Sequence, residues 1–220
     1  MSILPAGTHT RQHGRVDKEQ VHLLRDLLST SGWVERTRDF AGSLRRSTAR
    51  PGGLLLVGTP EEEPWHLAAH LDDEARFSGV LELKPTLVRY APPPEAPPHL
   101  AIGLDRLQAV SRGETLFVVA PGAAPEQLLE RVADAKRIGA TILSIDDGDE
   151  DLASLAHDRL IVPRYGLEIP SGLDVTPASI DFETVQHLVS VAAGEGDQRA
   201  KLRNRLSKLF DRVSGPAPHR

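Results

Sequence analysis

Cysteine is absent from the 220 residues. That excludes disulfides, thiolate metal sites and a cysteine nucleophile, and it fits a reducing compartment. Aromatic residues are scarce at 4%, so a core must rest on Leu, Val, Ile and Ala. No apolar run approaches the roughly 18 residues of a membrane-spanning helix. The stretch from Met1 to Arg15 is polar and lacks the apolar segment of a signal peptide. The expected location is therefore the cytoplasm, with no membrane partner. Neither a Gly-x-Gly-x-x-Gly fingerprint, a phosphate-binding P-loop nor a serine-hydrolase elbow occurs. No cofactor is expected. A net charge of -5 gives no general affinity for nucleic acid.

The charge is uneven. Residues 197–220 hold seven Lys or Arg against two Asp, a net of +5, which leaves about -10 on the remainder. In this tail Leu202, Leu206, Leu209 and Val213 fall at helical spacing on one face. Packing on its own domain or on a second subunit is favoured over nucleic acid or a membrane surface.

Residues 1–15 read as a disordered arm, polar and without periodicity. A helix is expected from Asp17 to Gly32, and a second to about Thr48, carrying Val34, Phe40 and Leu44. A short unbroken apolar run follows at Leu54–Val57, and further strands are expected at Thr86–Tyr90, Thr115–Ala120, Thr141–Ile145 and Arg159–Pro163. Such runs suit strands buried on both faces of a parallel sheet. Helical patterns separate them: about Glu62–Phe77, Leu100–Val110, Pro125–Ile138 and Leu152–Ala156. Five prolines between Ala91 and Pro98 make a stiff connector. A turn-rich stretch, residues 164–178, precedes a last helix at about Phe182–Ala193. The alternation predicts an α/β fold, flavodoxin-like or Rossmann-like: a three-layer αβα arrangement with a five-stranded parallel sheet, N-terminal helices and a C-terminal helix.

Within Thr115–Val162, a strand leads into Pro121-Gly122-Ala123-Ala124-Pro125. A helix then ends in Ala135-Lys136-Arg137-Ile138-Gly139, and Leu152-Ala153-Ser154-Leu155-Ala156-His157-Asp158 introduces the last strand. This succession resembles the sugar isomerase (SIS) domain, with its Ser-x-Ser-Gly-x-Thr loop, Ala-x-x-x-Gly helix end and Leu-Ala-x-x-Ala-Asp helix. The resemblance covers roughly Asp17 to Ala193, giving an arm at 1–15, a SIS-like domain at 16–196 and a basic tail at 197–220. It implies a carbohydrate-derivative ligand and a homodimer. It also implies that the loops after the first and third strands, Gly58, Thr59, Gly122, Ala123 and Ala124, line the ligand site.

The departures from the pattern carry chemistry. In the family the Ser-x-Ser-Gly-x-Thr loop grips a phosphate, as hydroxyls and N–H groups at a helix start readily do. Here its hydroxyl positions hold Val119, Pro121 and Ala124, and only Gly122 survives. Each charge-assisted hydrogen bond lost costs about 1.5–3 kcal/mol. Three such losses move a micromolar ligand to about millimolar or weaker. The first loop replaces Gly-x-Gly-x-Ser with Gly58-Thr59-Pro60-Glu61-Glu62, placing acids where a phosphate would lie. Acids also favour a helix's first turn through its dipole. Backbone N–H groups near Ala123 and Pro125 remain available to a weak or different anion.

Three further groups of residues bear on chemistry. His66 and His70 share a helix face and are metal-ligand candidates, without the Glu of a His-Glu-x-x-His motif. Glu183 and His187, one turn apart, are the acid–base candidates should activity survive. The acidic run Asp146, Asp147, Asp149, Glu150, Asp151 reads as a solvated turn, since its spacing does not match a calcium loop. His157 reads as a packing or capping residue. The sequence favours a binding or regulatory protein with degenerate phosphate loops. A working phosphosugar isomerase and an interaction module acting through the basic tail are the alternatives.

Overall fold

The computed structural model describes residues 32–162 and 182–195. The N-terminal arm, the helix expected from Asp17, the 164–178 stretch and the 197–220 tail lie outside the described residues. Those described form β1 (Leu54–Val57), β2 (Pro85–Val88), β3 (Thr115–Ala120), β4 (Thr141–Asp146) and β5 (Asp158–Ile161). The helices are α1 (Trp33–Ser47), α2 (Trp65–Ser78), α3 (Asp105–Gln108), α4 (Glu126–Ile138), α5 (Glu150–Leu155) and α6 (Phe182–Glu195).

The strands make one sheet in the order β2-β1-β3-β4-β5, every neighbouring pair parallel. Alternate side chains enter opposite layers, as strand geometry requires. Leu54, Leu56, Phe117, Val119, Leu143 and Ile145 meet Phe40 and Leu44 of α1, Leu67 and Leu71 of α2, and Val185 and Val189 of α6. Leu55, Val57, Leu116, Val118 and Ile142 meet Leu107, Leu128, Val132 and Leu152 on the other face. The three-layer αβα expectation holds.

Local chemistry fixes the ends of these elements. α1 buries Thr37, Phe40, Ala41 and Leu44, a helical stripe. α4 closes at Gly139, whose φ of 103° suits glycine, with the Ala140 N–H donating back to the Ala135 carbonyl at 3.0 Å. α2 starts at Trp65, three residues later than the sequence pattern suggests, because Pro64 occupies its N-cap. The helix expected over Leu100–Val110 shrinks to the four residues of α3. Pro98–Leu100 form a 3₁₀ turn instead, and Gly103 bridges to Arg89 beside the sheet.

Ion pairs tie the layers at the strand starts and helix ends. Arg45 of α1 donates to the Ala193 carbonyl, meeting the negative end of α6. Glu114, 5% exposed, accepts from Arg106 at 2.7 Å and from the Ser111 N–H at 2.8 Å. Burial pushes its carboxyl up, but those bonds and the charges of Arg106 and Arg50 prevail and hold it below the usual glutamate range. Burial likewise raises Asp158, yet bonds from Ser43 and Arg36 bring it below the usual aspartate range. Both groups therefore contribute stability above their unfolded pKa values, and that contribution is lost as pH falls through the lowered folded values. Acid titration monitored by circular dichroism should show stability falling between about pH 5 and about pH 2. Glu114→Gln should flatten that decline; an unchanged slope in the variant would contradict the role given to Glu114.

Candidate functional site

In the order 2-1-3-4-5 the topology reverses between β1 and β3, and ligands of open α/β sheets bind beyond the strand ends at that point. Two loops border this crevice: Gly58–Pro64 after β1 and Pro121–Pro125 after β3. Both are closed upon the chain's own atoms.

In the first loop the Thr59 N–H donates to the Glu62 carbonyl at 3.0 Å, and the Glu62 N–H donates back to the Thr59 carbonyl at 3.2 Å. Thr59 is buried at 2% exposure, and its Oγ1 accepts weakly from the Glu62 N–H. Gly58 allows this close turn: a Cβ there would stand 1.9 Å from the Glu62 carbonyl oxygen. The Thr59 amide, a sequence candidate for ligand contact, is thus consumed by the turn.

The second loop contains the more telling contact. The Ala124 N–H donates to Asp149 Oδ2 at 2.7 Å. The other oxygen, Oδ1, accepts from the Leu152 N–H at 3.0 Å and caps α5. An internal carboxylate therefore stands against the loop where the SIS pattern would place a phosphate. The N–H groups of Gly122 and Ala123 have no partner among the described residues.

The acidic run is a solvated turn only in part: Glu150 and Asp151 are exposed in the first turn of α5. Asp146 is fully buried at the end of β4. It accepts from Arg159, from Ser144 Oγ at 2.8 Å and from the Gly148 N–H at 3.0 Å. The Asp146 bond leads the causes that raise the Arg159 guanidinium above its ordinary value. His157 is exposed and extends the pairing of β4 and β5: its Nδ1 accepts from the Ile142 N–H at 2.9 Å, and its N–H donates to the Ile142 carbonyl at 2.8 Å.

Beside the first loop lies a cluster that sequence reasoning missed. Glu63 Oε2 accepts from Arg89 Nη2 at 2.8 Å and Nε at 2.9 Å, and from Trp65 Nε1 at 2.9 Å. The Arg89 guanidinium also stands 4.3 Å from the Trp65 ring centroid, a cation–π contact. Next to Arg89, the Tyr90 phenol oxygen is buried without a hydrogen-bond partner among the described residues. Burial first and the Glu61 charge second push its pKa up to about 12. Of the three consecutive glutamates, Glu63 pairs with Arg89, whereas Glu61 acts on Tyr90 and has no ion pair among the described residues. Arg89 and Tyr90 directly follow a strand, which was the available signal for them.

The two histidine-bearing candidate pairs meet. His66 Nδ1 lies 2.7 Å from Glu183 Oε1, and His70 Nε2 lies 3.0 Å from His187 Nδ1. The His70 and His187 rings pack edge to face at 4.3 Å. One nitrogen of that contact must donate and the other accept, so both rings cannot be fully protonated while it lasts. The His66–Glu183 pair is exposed. Among the described residues, no group of three or more His, Asp or Glu side chains is arranged to hold a metal ion. No described helix is long and apolar enough to cross a membrane.

No family model and no curated protein matches the sequence. Solved structures do match the fold. One is the "putative phosphosugar isomerase" of Silicibacter pomeroyi DSS-3, at TM-score 0.54 and 14% identity, covering 91% of this chain and 54% of that one. The chain thus spans about half the length of that protein. Another is the sugar isomerase domain of an RpiR transcription factor from Sphaerobacter thermophilus, at TM-score 0.48 and 13% identity, covering 92% and 99%. A third is Vibrio vulnificus NanR complexed with ManNAc-6P, at TM-score 0.40 and 14% identity, covering 88% and 73%. The likeness to the first is one of fold, and it agrees with the SIS resemblance read from the sequence.

Proposed function

We propose that this chain is a SIS-fold binding protein that takes a carbohydrate derivative in the β1/β3 crevice and does not isomerise it. The supporting observation is the Asp149 carboxylate on the Ala124 N–H. A phosphoester would have to displace an anion already tethered there and would meet the Glu61 charge nearby. Side-chain hydroxyls are missing from Val119, Pro121 and Ala124, so no side-chain donor in that loop offsets the cost. The ligand class that suits such a crevice is a sugar derivative without a phosphate group, held through hydroxyls and the open N–H groups of Gly122 and Ala123.

Thermal-shift titration would test this with fructose 6-phosphate, sedoheptulose 7-phosphate and N-acetylmuramate 6-phosphate, each beside its unphosphorylated counterpart. A ligand at about 100 times its Kd stabilises by about 2.7 kcal/mol. The expected result is a saturable shift with an unphosphorylated derivative and no tighter binding of its phosphate ester. A phosphate form binding about tenfold tighter, equivalent to about 1.4 kcal/mol, would overturn the proposal.

The second reading, a working isomerase, is favoured by the paired His66–Glu183 and His70–His187 contacts, which bring acid–base groups together. It predicts aldose–ketose turnover that is lost in Glu183→Gln. The first reading predicts no turnover in the parent chain.

A further inference from the structure

Phe77 is 79% exposed and Leu81 is 55% exposed, together the most conspicuous apolar surface among the described residues. Their position says what belongs over them. His66, His70 and Phe77 share one stripe of α2, at spacings of four and seven. The first two of these meet α6, at Glu183 and His187, with a constant sequence offset of 117. α2 and α6 therefore run in the same direction. Carried along the stripe, that offset places Phe77 opposite Gly194, next to the last residue of α6. The close approach continues there, since a Cβ on Gly194 would stand 2.0 Å from Glu74 Oε2. The C-terminal end of α6 thus lies against the last turns of α2, the part that carries Phe77.

That onward segment carries Leu202, Leu206, Leu209 and Val213 at helical spacing and a net charge of +5 over residues 197–220. At the receiving surface the acids are Asp72, Asp73 and Glu82, Glu74 being buried, and the bases are Arg76 and Lys84. Both bases are engaged with Asp72. Tethering makes the encounter intramolecular, with an effective concentration of about millimolar for a short linker. We infer that the Phe77–Leu81 patch is the docking surface for the chain's own basic C-terminal segment, residues 199–213, which covers it in cis.

Hydrogen–deuterium exchange on the full chain tests this. Amides of 199–213 should exchange at least about tenfold more slowly than an unstructured peptide, and Phe77→Asp with Leu81→Asp should abolish that protection while leaving β3 and β4 protected. Both side chains are exposed, so the double variant should fold. Should it not, Leu206→Asp with Leu209→Asp places the change on the tail and should give the same loss. Protection should also be the same at about 50 µM and about 0.5 µM protein, as an intramolecular contact requires. An unprotected tail in the parent chain would overturn the inference. So would protection indifferent to these substitutions, or protection lost on dilution, which would mark a contact between copies.

Discussion

Replacing Asp146 with alanine should lower the unfolding free energy by about 3–5 kcal/mol, measured by urea denaturation. The carboxylate is fully buried and satisfies the Arg159 guanidinium, the Ser144 hydroxyl and the Gly148 N–H. Removing it strands a guanidinium that is 22% exposed, together with a fully buried hydroxyl. A loss of that size comes from leaving partners behind and does not measure the net worth of the ion pair. Accordingly, Asp146→Asn with Arg159→Met should recover a good part of the loss. A cost below about 1 kcal/mol for the single alanine variant, the level of an exposed pair, would show that water reaches Asp146 and that the 146–151 segment is a solvated turn after all.

The second large effect is expected at Gly58. A methyl group there would lie 1.9 Å from the Glu62 carbonyl oxygen and 2.7 Å from Pro64 Cδ. The nearest obstacle is backbone, which cannot swing aside as a side-chain end can. The turn must open, the reciprocal Thr59–Glu62 bonds must stretch, and Thr59 must lose its burial. Gly58→Ala should cost about 3 kcal/mol, the upper end for overpacking, read as a lowered denaturation midpoint. Gly52 is the control. Its φ is 76°, but open space surrounds the position, so its alanine variant meets only backbone strain, about 1 kcal/mol. Equal costs at the two positions would contradict the closed-turn description of the first loop.

The sheet was legible in the sequence because parallel strands covered on both faces must be apolar throughout. Leu54–Val57 and Thr115–Ala120 announce themselves on composition alone. The SIS-like order was legible for a related reason: Ala135 packs against the sheet and Gly139 takes the left-handed cap that ends α4. The site contacts were less accessible. Asp146 and Asp149 stand in a run of acids that looks like any polar loop. Their partners, Arg159 and the Ala124 amide, lie 13 and 25 residues away. A backbone amide leaves no mark in a sequence at all. The histidine contacts left a partial mark, since the matched four-residue spacings 66/70 and 183/187 are what two parallel helices in register would show. Spacing within each helix could not reveal that the two helices are neighbours.

Asp149 holds the Ala124 amide at 2.7 Å, and the proposed function requires that it thereby stand in the way of a phosphoester. The direct measurement is the backbone amide resonance of Ala124, followed by ¹H–¹⁵N spectroscopy in the parent chain and in Asp149→Ala during titration with fructose 6-phosphate. The parent resonance should be downfield, as a charge-assisted bond requires, and should stay in place up to about 10 mM ligand, well beyond a micromolar phosphate site. In the variant the resonance should move upfield and begin to respond to the ligand. A parent resonance that shifts and saturates below about 1 mM fructose 6-phosphate would mean that Asp149 does not keep a phosphoester out.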